Sequence, residues 1–198
     1  MTTKAEKTTA FIIRTVAPIF NKLGYVGTSM SDLTEATGLT KGALYGNFEN
    51  KEALALAAFE FNSKKLLSEL DERLAIQGNS LQKLFNLTNF YRHYNEFTEA
   101  MGGCPVLNVG VDAKNNNAIL LSAAKETIKI IEGKIALVLE NGVNNNEIKL
   151  PVAPLQFAKQ MYTLIQGAVS MATITNDHKY LLNTITYLEH LIKYEVEK

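Results

Sequence analysis

The chain has 198 residues, 46% hydrophobic and 20% charged, with twenty basic side chains against twenty acidic ones. That make-up suits one or two globular domains and excludes a disordered or collagen-like chain. No apolar run approaches the roughly 18 residues of a membrane span, and the run Ala10 to Ile13 is too short for a signal-peptide core. A single cysteine, Cys104, cannot close an internal disulfide, so a reducing cytoplasm is expected, with no membrane partner.

Strand signals are nearly absent, and helical periodicity predicts an all-α chain of about nine helices. The first helix is expected from Lys4 to Leu23, with Ile12, Ile13, Val16, Ile19 and Phe20 on one face and Gly24 ending it. Pro18 withdraws a backbone donor from Arg14, which predicts a kink. Next come Met30 to Thr37, Lys41 to Phe48 and a long helix from Lys51 to about Ile76, capped by Ser29, Thr40 and Asn50. Ser29 and Asp32 have the spacing of a capping box. The long helix turns Leu54, Ala58, Phe61, Leu66, Leu70 and Leu74 inward, and Gly78-Asn79 breaks it. A helix from Ser80 to about Glu99 leads to the turn Gly102-Gly103-Cys104-Pro105 and a short helical piece from Val106 to Val111. Two asparagine triplets bracket another helix, along which Leu121, Ala124, Ile128, Ile131, Ile135 and Val138 step by three and four. Pro151 and Pro154 open a helix to about Thr175, and Asn176-Asp177 caps a last one through Glu197. There is no repeat and no long linker.

Residues 29–48 carry the functional signal. Two short helices joined by a tight turn make a helix-turn-helix, and Gly38 supplies the turn, where positive φ is often needed. Leu33, Leu39, Leu44 and Phe48 are spaced to form a small core, with Ala36 where two helices approach. The second helix then exposes Lys41, Gly42, Ala43, Tyr45 and Asn47, groups that meet phosphates and base edges in a major groove. The alternative for Tyr45 is a half-buried packing residue, and Thr40 can cap the helix and face phosphate at once. Lys51 can reach an adjacent phosphate. Residues 1–51 hold Lys4, Lys7, Arg14, Lys22, Lys41 and Lys51 against Glu6, Asp32, Glu35 and Glu49, a small positive excess in the direction DNA requires.

Taken together, Gly24-Tyr25, the segments Thr28 to Leu33 and Gly38 to Tyr45, and the segment Phe48 to Leu54 resemble the DNA-binding domain of the TetR family of repressors. The resemblance is dense over about residues 8–60 and architectural beyond. It implies a DNA-binding domain over residues 1–50, extending into the helix from Lys51, and a ligand-binding and dimerisation domain over 51–198. The implied recognition helix is Lys41 to Phe48: Gly42 and Ala43 approach bases, Lys41 reaches a base edge or phosphate, Tyr45 and Asn47 contact backbone or base, and Ser29, Thr40 and Lys51 anchor phosphates. Two positions depart from the family pattern: Pro18 replaces an ordinary helix former, and Asn47 stands where many members place histidine or another large polar residue.

The last two helices carry wide apolar surfaces. Met161, Ile165, Ala168 and Ala172 line one, and Leu181, Ile185, Leu188 and Ile192 line the other. Such width fits a fully buried core helix; the resemblance implies instead a homodimer through a four-helix interface, whose two-fold symmetry matches a pseudopalindromic operator in double-stranded DNA. It also implies an inducer pocket. Phe85, Tyr91, Tyr94, Tyr162 and Gln166 are candidate lining residues, each also readable as plain core, and the scarcity of charge favours an apolar or aromatic inducer. Cys104 reads as a small buried thiol or as an electrophile sensor in that region. His93, His178 and His190 are scattered, and no metal, nucleotide or nucleophile motif appears, so neither enzyme activity nor a cofactor is expected. A helical protein-interaction adaptor with a vestigial helix-turn-helix is the alternative, against which Lys41, Tyr45 and Lys51 argue.

Overall fold

The computed structural model describes residues 3–196. Among these the chain forms ten α-helices: α1 Lys4–Gly27, α2 Met30–Thr37, α3 Lys41–Tyr45, α4 Lys51–Ala75, α5 Ser80–Arg92, α6 Tyr94–Glu99, α7 Pro105–Ala113, α8 Ala118–Asn144, α9 Pro154–Thr175 and α10 Lys179–Leu191, the last followed by a π-helical turn, Ile192–Val196. The chain is all-α, as expected. The expected helix from Ser80 to Glu99 is two, because the backbone leaves helical geometry at His93. Glu197, the expected last helical residue, lies outside the described residues. None of the described helices is long and apolar enough to cross a membrane.

Two compact units are distinguished. One holds the chain through Leu66 with Phe97–Thr127; the other holds Leu67–Glu96 and the chain from Ile128. The packing boundary thus falls within α4, whereas the functional boundary read from the motif falls at residue 50.

In the first unit Ile12, Val16, Phe20, Leu33, Leu44, Leu54, Ala58 and Phe59 share one core with Val109 and Ala113 of α7. Amide side chains fasten α7 and its preceding turn to α1. Asn21 Nδ2 donates to the carbonyls of Met101 (2.7 Å) and Gly103 (2.8 Å), and Asn108 Nδ2 donates to the Asn21 carbonyl at 3.0 Å. Pro18 keeps helical dihedrals, since its fixed φ is compatible with a helix. The backbone leaves helical geometry at Gly24, the expected end of the first helix, whose φ of 76° ordinary side chains avoid. On α4, Phe61 is 40% exposed and Phe59 is buried in its place. The inner line of α4 runs through Asn62, whose Nδ2 donates to the Ala17 carbonyl at 3.2 Å, and a polar residue is invisible to a hydrophobic pattern.

The second unit packs α10 against α9 and α5. Glu189 of α10 accepts from Arg92 (2.6 Å) and Thr88 (3.2 Å) of α5. Here the apolar stripe expected to face a partner needs correction. Met161, Ile165, Ala168, Ala172, Leu181, Ile185, Leu188 and Ile192 are all 0–6% exposed within the chain, so they serve its own core, with Met161 and Leu188 also flooring the groove between the two helices. One position away on α9 runs a second, exposed line: Gln160, Leu164, Gly167, Met171 and Ile174, spaced by four and three. On α10 and the turn after it, Tyr180, Tyr187 and Tyr194 repeat every seven residues and are exposed. Between α9 and α10 lies a groove of about 560 Å³ lined by Phe157, Met161, Leu164, Tyr187, Leu188 and Leu191.

Of the candidate pocket residues, Tyr91, Tyr94 and Tyr162 are buried, while Phe85 and Gln166 are half-buried. Phe90, Tyr91 and Tyr94 stack edge to face or tilted, with ring centroids 5.1–5.6 Å apart. None of the five lines the α9–α10 groove. Cys104 belongs to the first unit, where its Sγ accepts from the Leu107 N–H at the start of α7 (3.5 Å).

Candidate nucleic-acid interface

The two short helices are delimited by their own side chains. Ser29 Oγ accepts from the Asp32 N–H at 3.1 Å while Asp32 accepts from the Ser29 N–H at 2.7 Å, a reciprocal capping box. Those contacts with the amide and hydroxyl of Ser29 hold the Asp32 carboxyl below its ordinary pKa. At the far end of α2, Gly38 adopts φ 66° and donates to the Thr34 carbonyl at 2.9 Å, a left-handed cap that sends the chain into α3. Thr40 Oγ1 accepts from the Ala43 N–H at 3.2 Å and starts α3. The small core beneath holds buried Leu33 and Leu44 with half-buried Leu39 and Phe48. Ala36 is exposed; the residue tucked under α2 is Thr37, whose hydroxyl is satisfied by the Leu33 carbonyl at 2.7 Å.

On the outer side of α3, Lys41 and Gly42 are exposed and Tyr45 is 41% exposed, with the Lys41 ammonium 5.9 Å from the Tyr45 ring centre. Ala43 is half-buried. A Cβ on Gly42 would meet only Thr40 Oγ1, at an ordinary 3.9 Å. Helix α3 stops at Tyr45 instead of reaching Phe48 because Asn47 closes it: its Nδ2 donates to the Ala43 carbonyl at 2.9 Å. Oδ1 of the same amide accepts from Thr9 Oγ1 at 2.8 Å, so Asn47 is engaged at both ends inside the protein.

Lys51 sits at the start of α4 with its Nζ donating to the Tyr25 carbonyl at 2.6 Å and lying 4.5 Å from the Tyr25 ring centre. Partial burial lowers its pKa, opposed by the charges of Asp112 and Asp32. Asp112 of α7 accepts from the Tyr25 N–H at 2.7 Å. Buried Asn117 donates to Glu52 at 2.7 Å, tying the start of α8 to the first turn of α4. Thr9, Tyr25, Asp112 and Asn117 carry no sequence signal for these tasks, since each acts on a residue 26 to 87 positions away.

Two short capped helices at a glycine turn, one of them presenting an exposed lysine, glycine and tyrosine, define a DNA-binding transcriptional regulator of the helix-turn-helix class. Residues 12–58 match the family model described as bacterial regulatory proteins, tetR family, and residues 80–188 match that of the tetracyclin repressor-like C-terminal domain. The chain belongs to the TetR family. It is 25% identical over 172 residues to the HTH-type transcriptional repressor NemR of Escherichia coli K12, covering 85% of each chain. Among solved structures it is similar to a TetR-family regulator from Cytophaga hutchinsonii (32% identity, TM-score 0.88, covering 98% of this chain and 96% of that one). Another, from Chloroflexus aurantiacus, is 30% identical with a TM-score of 0.92 over 98% of both chains.

Proposed function

We propose that this regulator is a ligand-responsive homodimeric repressor of the bacterial cytoplasm, with α3 entering the major groove of a pseudopalindromic operator. Lys41, Gly42, Ala43 and Tyr45 meet base edges, and Ser29, Thr40 and Lys51 meet flanking phosphates. The observation carrying this reading is the outer side of α3, where Lys41, Gly42 and Tyr45 are exposed together and none is spent on the core. Asn47, with both amide groups engaged internally, is better read as support for α3 than as a contact.

Dimerisation is assigned to the exposed line of α9 with the tyrosines of α10. A line spaced by four and three is the seam that packs against another helix, and Gly167 in its middle permits close approach. An apolar or aromatic ligand is assigned to the tyrosines buried in the second unit, Tyr91, Tyr94 and Tyr162.

Gly42→Ala tests the DNA reading. The fold has room for the methyl, and alanine favours the helix by about 0.8–1.0 kcal/mol, so stability holds or rises. Binding to a duplex selected by the wild-type protein should fall about tenfold or more, as the methyl displaces a base-edge approach. Undiminished binding would show that α3 does not approach bases at this point.

A further inference from the structure

We propose that Thr9 is a positioning residue for DNA recognition, acting through Asn47 to fix the direction of α3. The inference rests on the reading of α3 as the recognition helix.

Asn47 can serve the Ala43 carbonyl only with its NH2 end, which settles the orientation of the amide and turns Oδ1 toward Thr9. The single hydroxyl proton of Thr9 has two acceptors within reach, Asn47 Oδ1 at 2.8 Å and the Ala5 carbonyl at 3.1 Å. The nearer one takes it. A helix of five residues has too few internal hydrogen bonds to hold its own direction, so its direction is set from outside. Leu44, buried in the core shared with Ile12 and Val16, and half-buried Leu39 and Phe48 attach α3 by apolar contacts, which have no directionality of their own. The Thr9–Asn47 bond, joining residues 38 apart at the C-terminal end of α3, adds a directional tie to α1 and fixes the tilt that apolar packing leaves soft. Lys41, Gly42 and Tyr45 can then be presented to base edges without first being ordered, which is where a positioning bond gains affinity for the right sequence.

The test uses the full chain, a fluorescent duplex selected by the wild-type protein from a randomised library, and a scrambled duplex of equal length and composition. Thr9→Val keeps the shape and removes the hydroxyl. It should weaken binding to the selected duplex by about 2- to 10-fold, the worth of one neutral hydrogen bond. Affinity for the scrambled duplex and the salt slope should match wild type, because no charge is touched. Thr9→Ser keeps the hydroxyl and should bind the selected duplex as wild type does. Adding Thr9→Val to Asn47→Ala should cost nothing further, since the two residues act as one.

Equal affinity of Thr9→Val and wild type for the selected duplex would overturn the inference. So would a loss of equal size on both duplexes, the mark of a smaller folded fraction, or a further loss in the double variant. If the wild-type protein selects no sequence at all, the recognition-helix reading falls, and this inference with it.

Discussion

At the scale of single residues, several groups proposed to meet DNA also serve the fold, and the two roles separate by experiment. Lys51, proposed to meet a phosphate, also donates to the Tyr25 carbonyl. Lys51→Met should reduce the slope of log affinity against log salt by about one, and lower unfolding free energy by about 1 kcal/mol. An unchanged slope beside reduced stability would make Lys51 an internal cap alone. Asp32 gives a pH signature. Its carboxyl titrates below its ordinary pKa of 3.8 in the folded chain, so the stability it lends α2 is complete above that pH and is lost as pH falls through the lower folded value. Asp32→Ala should show the loss already at neutral pH and add none on acidification, followed by helical circular dichroism. The caps Ser29, Thr40 and Gly38 were legible in the sequence because capping is local. Thr9 and Asp112 were not, because a lone threonine or aspartate on a helix has no pattern that names a distant partner.

At the scale of elements, α7 is fastened to α1 by amides as well as by the shared apolar core. Asn21 is 3% exposed and satisfies two carbonyls of the turn that follows α6. Asn21→Ala should cost about 2–3 kcal/mol, because buried carbonyls lose their donor; urea denaturation measures it, and a cost under about 0.5 kcal/mol would mean that water replaces the amide fully. Hydrophobic periodicity located nearly every helix of the chain, but it misplaced the inner face of α4 at Phe61. The pattern counts apolar residues, while the inner line of α4 runs through Asn62, which is held by a hydrogen bond.

At the scale of the whole molecule, α9 carries two parallel stripes one residue apart, and the sequence alone could not say which is core. Burial now separates them, and substitution can confirm the assignment. Leu164→Asp, on the exposed line, should leave a folded chain that sediments as a monomer and binds operator weakly, since one half-site remains. Met161→Asp, on the buried stripe, should instead fail to fold, because an unpaired carboxylate would sit in the core. A dimeric Leu164→Asp variant would move the partner surface elsewhere. The all-α class was legible from periodicity along the chain and the regulator family from one stretch of about fifty residues; which stripe of α9 is core was not, because both share the same helical spacing.

The outer side of α3 also bears on how such a regulator could change its target. The side chains of Lys41 and Tyr45 and the bare Cα of Gly42 lie on the exposed side of α3, whereas Ser29, Thr40, Asn47 and Lys51 each close a helix or brace a turn. On the proposed reading, mutational drift at the first three redirects the protein to a new sequence with little loss of foldedness. The other four are the conservative part of the alphabet, and anyone re-engineering the regulator for a chosen operator would begin by leaving them alone.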